Sequence, residues 1–432
     1  MEKRSKTEQI LEKAKSLGCV PGLEAISCLM EEMGNVQEGL SVVHVAGTNG
    51  KGSTGAMLEE ILCRAGFQVG RFTSPAVFFP EEVYQINQVP ILKETYQELM
   101  EEIASACSRL KAQGKATPTL FEMETAVGFL WFYRMKCDIV ILETGLGGRL
   151  DATNIIKKPL CSVITPVSMD HMAFLGNTLE QIAWEKAGII KKGCPAVLAR
   201  QTPEAFEVFQ KRCQDMQAKL WHCQDTPPKE IHYEAGRLMF DWEDFPEISL
   251  SLLGAYQPQN AVCAILAARC LNDLGFEIKK EDIREGLAQA RWPGRFEIVS
   301  KEPLMVIDGA HNEDAAKKLR ETLEMGFTNR KIIYIIGVLA DKDHEAMLRY
   351  LLPLAQKVYT ITPENPRALS AEELCQEAKK YHRNVQAAGS ISLAVRAAAK
   401  DARQEKESMV LGFGSLSWLG CAKEAIEREN KA

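Results

Sequence analysis

The feature that most constrains the fold is a glycine-rich turn between a strand and a helix, in the segment VVHVAGTNGKGSTGAMLEE at residues 42–60. A valine-rich strand precedes the turn, apolar residues at helical spacing follow it, and FQVGRFTSP supplies the next strand. A strand, a helix and a strand in this order form a parallel βαβ unit with a right-handed crossover. The sequence therefore predicts an α/β protein.

The same turn has the composition of a phosphate-binding loop, although its spacing differs from the usual Gly, four residues, Gly-Lys-Ser/Thr. Val45 stands where the first glycine of that pattern belongs, and Gly52 separates Lys51 from the hydroxyl of Ser53. Glycines let backbone N–H groups face an anion, and the N-terminus of the next helix favours negative charge. Lys51 supplies a cation, and Ser53 or Thr54 an oxygen for Mg²⁺. A turn without a ligand is the alternative, which this combination of residues disfavours.

Composition and charge narrow the function classes. The chain has 432 residues, 46% hydrophobic and 25% charged, which is typical of a globular protein. Its net charge of −6 argues against nucleic acid as the main partner. The cysteines form no C-x-x-C pair, the N-terminus lacks a signal-peptide pattern, and no apolar run reaches the ~18 residues that cross a bilayer. We therefore expect a cytoplasmic protein with no membrane partner.

Strands and helices alternate along most of the chain. The runs CDIVILE, LCSVITPVSMD and CPAVLAR predict buried strands, and residues 220–253 predict short antiparallel strands. RWPGRFEIVS interrupts the pattern, and further strands from LMVIDGAHN to SMVLGFGSLSW follow it with helices between them. We place a first α/β domain at residues 1–294 and a second, smaller one at residues 295–432.

Polar side chains occur near the ends of two predicted strands of the first domain. Glu143 ends CDIVILE, at the edge where α/β sheets bind ligands, and glycines directly after it indicate a close approach to the backbone. His171 follows a later strand and is a candidate metal ligand beside Glu143, although a lone histidine is more often structural. Lys186 lies inside a helix that begins at a capping box. The spacing of apolar residues in that helix is compatible with an exposed lysine at this position.

The predicted domain junction carries a further polar group. Arg295 lies in the linker, and Asp308, His311 and Asn312 belong to DGAHN at the end of the first strand of the second domain. We expect DGAHN to face the first domain across a cleft. The sequence has neither a G-x-S-x-G nucleophile turn nor clustered Cys/His spacing typical of zinc.

Five motifs occur in order: HVAGTNGKGST, LETGLGGRLDATN, MDH…LG…EKAGIIK, PGRFE and DGAHN. Together they resemble the folylpolyglutamate synthase and dihydrofolate synthase family of the Mur ligase superfamily, over nearly the whole chain. In this family the phosphate loop is written G-T-N-G-K-G-S/T, so the unusual spacing is a family signature. The resemblance implies a P-loop-containing, mostly parallel-sheet ATPase domain followed by a smaller Rossmann-like α/β C-terminal domain.

The resemblance also implies an ATP-dependent amide ligation by a cytoplasmic monomer. The carboxylate of tetrahydrofolate, of dihydropteroate or of both would take the γ-phosphate of ATP, and L-glutamate would attack the resulting acyl phosphate. Mg²⁺ at two sites is implied, with K⁺ as an optional further cation. Three alternatives are a Mur-type ligase for another carboxylate, a P-loop kinase or NTPase switch, and a non-catalytic homologue. The first usually carries an extra domain before Ser41, the second leaves DGAHN unexplained, and complete motifs oppose the third.

By matching motif, the resemblance assigns roles to individual residues. The catalytic set is Lys51, Glu143, His171 and Lys186, and Lys186 matches a lysine that is carbamylated in the family. The residues that match ATP-binding positions are Gly47, Thr48, Asn49, Gly50, Lys51, Gly52, Ser53, Thr54, Asn260, Arg295, Asp308 and His311. The metal is assigned to Ser74, Glu143 and His171. The pterin or folate is assigned to Phe121, Glu122, Leu150, Asp151 and Ala152.

Two segments depart from the family pattern. Ala76 stands at the histidine of the usual S-P-H-L, no arginine follows Glu82, and Ala25 stands where G-L-E-R is common. Both segments are expected to flank the pteridine or folate. We therefore expect the acceptor pocket to depart from the family more than the ATP and metal sites do.

Overall fold

The computed structural model describes residues 6–431, which group by their contacts into two compact units. The first unit comprises the described chain up to Ala76, Pro80–Pro227 and Gln259–Gln289, and the second comprises Val77–Phe79, Pro228–Pro258 and the chain from Ala290 onward. The functional domains at residues 1–294 and 295–432 stay a prediction. No helix within residues 6–431 combines the length and the apolar character needed to span a membrane.

The bounds of the regular elements are as follows. The strands are β1 (Val42–Ala46), β2 (Val69–Phe72), β3 (Tyr84–Ile86), β4 (Val89–Pro90), β5 (Ile139–Glu143), β6 (Cys161–Ile164), β7 (Ala196–Leu198), β8 (Leu220–His222), β9 (Lys229–Glu234), β10 (Arg237–Trp242), β11 (Phe245–Leu250), β12 (Glu297–Lys301), β13 (Leu304–Ile307), β14 (Lys331–Ile336), β15 (Ala355–Thr360), β16 (Val385–Ala387) and β17 (Ser408–Phe413). The helices are α1 (Lys6–Ser16), α2 (Glu24–Glu32), α3 (Lys51–Arg64), α4 (Lys93–Ala112), α5 (Leu120–Arg134), α6 (Met172–Leu175), α7 (Leu179–Ala187), α8 (Pro203–Asp215), α9 (Gln257–Asp273), α10 (Lys280–Gln289), α11 (Glu313–Gly326), α12 (His344–Leu351), α13 (Ala371–Ala378), α14 (Ile391–Gln404) and α15 (Leu419–Lys431).

The first unit is built on one sheet with the strand order β4-β3-β2-β5-β1-β6-β7-β8. From β2 to β8 every neighbouring pair is parallel, which confirms the predicted parallel α/β fold. A short antiparallel hairpin, β3–β4, extends the edge beside β2 and was not predicted. The prediction that residues 220–253 form only antiparallel strands is wrong at its start, because β8 pairs parallel with β7.

The second unit holds two sheets. The larger has the order β12-β13-β17-β14-β15-β16, in which β12 is antiparallel and the other strands are parallel, as the alternating pattern predicts. The strands β9, β10 and β11 form a separate antiparallel sheet. Large apolar side chains, among them Tyr334, Phe413 and Trp418, are fully buried against the larger sheet. The predicted strands of the second domain are therefore confirmed.

Helix α5 begins at a reciprocal capping box. The side chain of Thr119 accepts a hydrogen bond from the backbone N–H of Glu122, and the Glu122 carboxylate accepts one from the N–H of Thr119 at 2.7 Å. The same carboxylate accepts a hydrogen bond from the N–H of Ile26 at 3.2 Å, near the start of α2. Because the first N–H groups of a helix have no partner within the helix, one buried acid stabilises the starts of both helices.

A buried ion pair ties α3 to the sheet. Arg71 on β2 donates from Nε to Oε2 of Glu59 at 2.5 Å, and both side chains are almost fully buried. The other oxygen of Glu59 accepts a hydrogen bond from the N–H of Gln88 at 2.9 Å, in the turn between β3 and β4. A buried charge needs such partners, since removing one of them leaves the other without compensation.

Replacing Arg71 by methionine is expected to lower the free energy of unfolding of the first unit by about 3–5 kcal/mol, because Glu59 would stay buried and unpaired. The double replacement Arg71→Met with Glu59→Met should recover part of that loss. As a matched control, Arg109→Met breaks the exposed pair with Glu32 and should cost less than about 1 kcal/mol. Urea unfolding followed by circular dichroism measures all three, and equal losses for the buried and exposed pairs would contradict this account.

Candidate active site

The loop between β1 and α3 makes two close approaches that only glycine permits. Gly47 has φ +149°, and a Cβ added there would lie 1.8 Å from Oγ1 of Thr165. Gly50 has φ +90°, and a Cβ there would lie 2.3 Å from Oδ1 of Asn260. Asn260 is buried on α9, so the fold brings this predicted ATP residue against the loop. The glycine spacing therefore follows from the contacts of the loop.

The loop is held by the segment that follows β6. The N–H groups of Thr48 and Asn49 both donate to the carbonyl oxygen of Pro166, at 3.0 and 3.2 Å. Oγ1 of Thr48 donates to the carbonyl oxygen of Ser168 at 3.1 Å, and Nδ2 of Asn49 donates to Oγ of Ser168 at 3.2 Å. These contacts fix the backbone of the loop in the absence of a nucleotide.

Gln201, which the sequence analysis missed, supports that segment. Its Nε2 donates to the carbonyl oxygen of Thr165 at 3.1 Å, and its Oε1 accepts from the N–H of Val167 at 3.0 Å. Gln224 in turn pairs with the backbone of Gln201 through both its amide atoms. The strand-end rule that located Glu143 could also have located Gln201. Gln201 comes shortly after the end of β7, at the edge where such sheets bind ligands.

Two lysines converge on one carbonyl oxygen. Nζ of Lys51 donates to the carbonyl of Gly47 at 3.2 Å and lies 3.7 Å from Oε1 of Glu143. Nζ of Lys186 donates to the same carbonyl at 2.8 Å. Burial first, and the nearby charge of Lys51 second, lower the pKa of Lys186 to about 7. The pair concentrates positive charge beside a loop built to face an anion.

The expectation that Lys186 could be an exposed helical residue is wrong, because its side chain is buried. The periodicity already carried this information. Lys186 lies four residues after Ile182 and three after Ala183, both buried, so all three share the face of α7 that packs into the unit. The burial of Lys186 was not predicted, because a charged residue rarely lies in a core without a partner.

The predicted metal ligands lie at or near the same edge of the sheet, with different exposure. Glu143 ends β5 and pairs in register with Val45 of β1, and Ser74 follows the neighbouring β2. The ring of His171 is 49% exposed, and its Nε2 lies 3.9 Å from Oδ2 of Asp170. The structure therefore brings Glu143 to the loop beside Lys51, whereas His171 lies on the surface at the start of α6.

The residues at this edge fit Mg²⁺. Within residues 6–431, no three His, Cys, Asp or Glu side chains form a metal-binding group. Mg²⁺ in nucleotide sites needs no such group, because one or two protein ligands act together with phosphate oxygens and water. The hydroxyl oxygens of Thr54 and Ser74 are buried and lack a hydrogen-bond partner among the described residues. A hard cation with oxygen ligands would satisfy them.

The predicted acceptor residues gather around the turn after Glu143. A Cβ added to Gly145 would lie 2.5 Å from the ring of Phe121, so the ring packs on this turn. Asp151 accepts hydrogen bonds from the N–H of Leu146 at 2.8 Å and from Oγ1 of Thr153 at 2.6 Å. Burial raises the pKa of Asp151 against these hydrogen bonds. The structure thus brings Phe121 and Asp151 to one turn.

Of the other members of the acceptor set, Glu122 and Ala152 are buried and Leu150 is partly exposed. Ala152 is 4% exposed and begins the 3₁₀ turn that Asp151 caps. The carbonyl of Leu150 accepts a hydrogen bond from the N–H of Gly22 at 3.3 Å. Glu122 is the capping acid at the starts of α5 and α2, described above.

In the second unit, the predicted residues of DGAHN and the linker form one cluster. The carboxylate of Asp308 accepts hydrogen bonds from the N–H groups of Phe296 and Ala310, each at 2.8 Å, and from the hydroxyl of Tyr256 at 3.2 Å. Burial raises the pKa of Asp308, and Arg295 opposes this effect. Nδ1 of His311 lies 2.8 Å from the carbonyl oxygen of Gly309. The sequence analysis missed Tyr256, which no strand-end signal marks.

Comparison with known proteins identifies the family. Residues 45–268 match the Mur ligase middle domain, and residues 294–416 match the Mur ligase, glutamate ligase domain. The dihydrofolate synthase/folylpolyglutamate synthase of Bacillus subtilis (strain 168) is 40% identical over 364 residues, covering 83% of this chain and 84% of that protein. The chain belongs to the dihydrofolate synthase/folylpolyglutamate synthase family of Mur ligases. Mur ligases of this family form amide bonds between an acid and an amino acid.

Solved structures agree with this family and with its fold. Mycobacterium tuberculosis folylpolyglutamate synthase complexed with ADP and AMPPCP matches with a TM-score of 0.88 at 30% identity, covering 97% of this chain and 99% of that one. E. coli FolC in complex with DHPP and ADP matches with a TM-score of 0.84 at 31% identity, covering 99% of both chains. The nucleotides in these complexes support ATP as the nucleotide of this Mur ligase.

The stability of this Mur ligase should depend on the protonation of Lys186. Its pKa in the folded state is about 7, below the ordinary value of 10.5 expected after unfolding. Between these two values the unfolded chain binds more protons, so stability rises with pH across that window. Lys186→Met should weaken this rise, and the exposed control Lys192→Met should keep it. Thermal melting in CO₂-free buffer tests this, and an unchanged pH slope in Lys186→Met would contradict it.

Gly50→Ala is expected to weaken ADP binding by at least about tenfold, because the methyl group would displace Asn260 and distort the loop. Gly66→Ala is a matched control, since Gly66 has nearly the same φ, +91°, but nothing lies within 4 Å of its added Cβ. Both substitutions strain the backbone, but only the methyl group of Gly50→Ala would contact Asn260. Calorimetric titration with ADP measures the difference, and equal affinities in the two variants would show that the contact has no role in binding.

Proposed function

We propose that this chain is an ATP-dependent ligase that joins L-glutamate to the carboxylate of tetrahydrofolate, of dihydropteroate, or of both. The observation that carries the proposal is the convergence of Lys51 and Lys186 on the carbonyl of Gly47, beside Glu143 and at the N-terminus of α3. A glycine loop with the ammonium of Lys51 beside it suits a polyphosphate that must meet a second anion, and Lys186 adds a group whose charge can change. The family membership supplies the reaction class.

The nucleotide half of the reaction is assigned to the loop. We propose that the N–H groups of residues 47–54 and the ammonium of Lys51 hold the phosphates of ATP, with Asn260 against the loop. The acceptor carboxylate then attacks the γ-phosphorus, and the bond from that phosphorus to the bridging oxygen breaks, leaving ADP and an acyl phosphate. Lys51 stabilises the charge that develops on the transferred group. Arg295, Asp308 and His311 are proposed as further ATP contacts, from the functional domain at residues 295–432.

We assign Mg²⁺ to Ser74, Glu143 and His171, with the hydroxyls of Ser53 and Thr54 near the phosphates. When bound, Mg²⁺ would neutralise phosphate charge and orient the transferred group. Lys186 with a pKa of about 7 is neutral in a large fraction of molecules near neutral pH, and a neutral amine can react with CO₂. Carbamylation would replace a cation by a carboxylate and so support a second metal. K⁺ rests on the family resemblance alone.

The second half of the reaction is the attack of the amino group of L-glutamate on the acyl phosphate. A tetrahedral intermediate forms, phosphate leaves, and the new amide carries one more glutamate. The pterin or folate is assigned to Phe121, Glu122, Leu150, Asp151 and Ala152, around the turn after Glu143. We further propose that the enzyme acts in the cytoplasm as a monomer.

The experiment that tests this function is ADP release with Mg²⁺, ATP and L-glutamate, comparing dihydropteroate, tetrahydrofolate and no acceptor. We expect release that depends on at least one of the two acceptors, with a product heavier by one glutamyl residue in mass spectrometry. The acceptor that gives release identifies the substrate. ADP binding without stimulation by either acceptor would overturn the proposal in favour of a Mur-type ligase for a different carboxylate.

Lys186→Ala is expected to reduce ligase activity by about a hundredfold or more, because the carboxylate that carbamylation provides would be lost. Acetate at high concentration should restore part of the activity by occupying the vacated space. Lys192→Ala, an exposed lysine on the loop after α7, is the control and should keep normal activity without a response to acetate. Full activity in Lys186→Ala would exclude a role for this side chain in metal support.

A further inference from the structure

Helix α5 is buried along most of its length, with a few partly exposed residues near its start. Between residues 120 and 132, only Leu120, Phe121 and Glu124 are partly exposed, and the remaining side chains are buried. Phe121 and Glu124 are three residues apart, so they share one face of the helix. Phe121 is already assigned to the acceptor pocket, whereas Glu124 has no role in the reaction described above.

Phe121 is the first ring of an aromatic row whose next two rings, Phe72 and Tyr84, are fully buried. The ring centroid of Phe121 lies 6.2 Å from that of Phe72, Phe72 lies 5.6 Å from Tyr84, and Tyr84 lies 5.7 Å from Tyr96. The hydroxyl of Tyr84 donates to the backbone carbonyl of Glu124 at 3.1 Å. This hydrogen bond fixes Tyr84, the third ring of the row, against the turn of α5 that carries Glu124.

The carboxyl group of Glu124 differs from its neighbour Glu122. Glu122 accepts hydrogen bonds from the N–H groups of Thr119 and Ile26 and so is satisfied within the protein. Within the described chain, no group forms a hydrogen bond or an ion pair with the Glu124 carboxylate, and burial raises its pKa to about 7. An apolar residue would suit this position better for stability, so the acid has a cost that the fold does not explain.

A further observation connects Glu124 to the departure of this chain from the family pattern. Ala76, which stands where the family commonly has histidine, packs against the same hydrophobic cluster as Tyr96 and Phe121. The cluster thus has a small apolar side chain at residue 76, and α5, which belongs to the same cluster, carries an acid without a hydrogen-bond partner in the described chain.

A ligand for this position needs a flat ring for the partly exposed Phe121 and adjacent N–H donors for the carboxylate. The pterin ring has both, because its 2-amino group and N3–H lie side by side on one edge and match the two oxygens of a carboxylate. A glutamate tail fits poorly, since its carboxylates would repel Glu124. We propose that Glu124 recognises this edge of the acceptor's pterin and so acts as a specificity residue, an inference that rests on the proposed ligase function.

Glu124 has a pKa near neutral pH, whereas the pKa values of the tyrosine hydroxyls around it are raised above their ordinary value. Burial and then the charge of Glu124 raise the pKa of Tyr96 on α4 to about 12, and the same two causes raise the pKa of Tyr84 on β3 further. Both hydroxyls therefore stay protonated. The charge of Glu81, which lies before β3, also raises the pKa of Tyr96, but by less than the charge of Glu124 does. Because the pterin edge donates two hydrogen bonds, it should bind the ionised form of Glu124.

The test is equilibrium binding of dihydropteroate and of p-aminobenzoyl-L-glutamate, which lacks the pterin, to the wild type, Glu124→Gln and Glu124→Met. Glu124→Gln should weaken dihydropteroate binding by about tenfold to a hundredfold, the loss of hydrogen bonds to a charged group. Binding of p-aminobenzoyl-L-glutamate and of ADP should change by less than about twofold. Glu98→Gln on the exposed side of α4 is the control and should change none of these affinities.

The pH profile separates recognition from a general effect on structure. Wild-type affinity for dihydropteroate should fall as the pH drops from about 8 to about 6, because protonation removes an acceptor, and Glu124→Gln should show a flat profile. Glu124→Met should melt at or above the wild-type temperature, since it removes a buried acid, so a loss of pterin binding in that variant cannot reflect unfolding.

Three results would overturn the proposal. Equal dihydropteroate affinity in the wild type and Glu124→Gln would remove Glu124 from recognition and leave the ligase function intact. An equal loss for dihydropteroate and p-aminobenzoyl-L-glutamate would mean that Glu124 shapes the pocket without contacting the pterin. Failure of the wild type to bind either dihydropteroate or tetrahydrofolate would overturn both the ligase function and this inference.

Discussion

The contact on which the site depends is the shared carbonyl of Gly47, to which two ammonium groups donate. Burial and, after it, the charge of Lys51 lower the pKa of Lys186 at this contact. The strand order makes the arrangement unavoidable, because β1 lies between β5 and β6. Parallel pairing then brings the loop after β1, the acid at the end of β5 and the segment after β6 to one edge. Phosphate charge is the natural partner for that edge.

The loop is held by contacts with the ends of the neighbouring strands. Thr48 and Asn49 hydrogen bond to the segment after β6, and Gln201 holds that segment from the end of β7. A site whose donors are already oriented spends little of its binding free energy on ordering the loop. Adjacent strands of the sheet thus act as a common support for one glycine-rich turn.

Much of this structure could be predicted from the sequence, for reasons that particular residues make clear. The apolar runs and the glycine loop predicted the parallel sheet, since both reflect local spacing and simple topology. The strand-end rule located Glu143 correctly and the periodicity of α7 was compatible with a buried Lys186, whereas the role of Gln201 depends on which strands meet in space. Glu124 could not be singled out from the sequence, because α5 also carries Glu122 and the spacing of the two acids gives no signal; the role proposed for Glu124 depends on its neighbours on β2, β3 and α4.

The two halves of the site differ in what can change without loss of the fold. Phosphate is recognised largely by backbone N–H groups, so Gly47 and Gly50 are fixed by φ and by contacts with Thr165 and Asn260. The residues proposed for the acceptor act through their side chains, and two of them, Phe121 and Leu150, are partly exposed, where a substitution can alter chemistry and leave the backbone intact. A chain with an unaltered phosphate loop can therefore adjust how it reads a pterin while keeping the same phosphoryl chemistry.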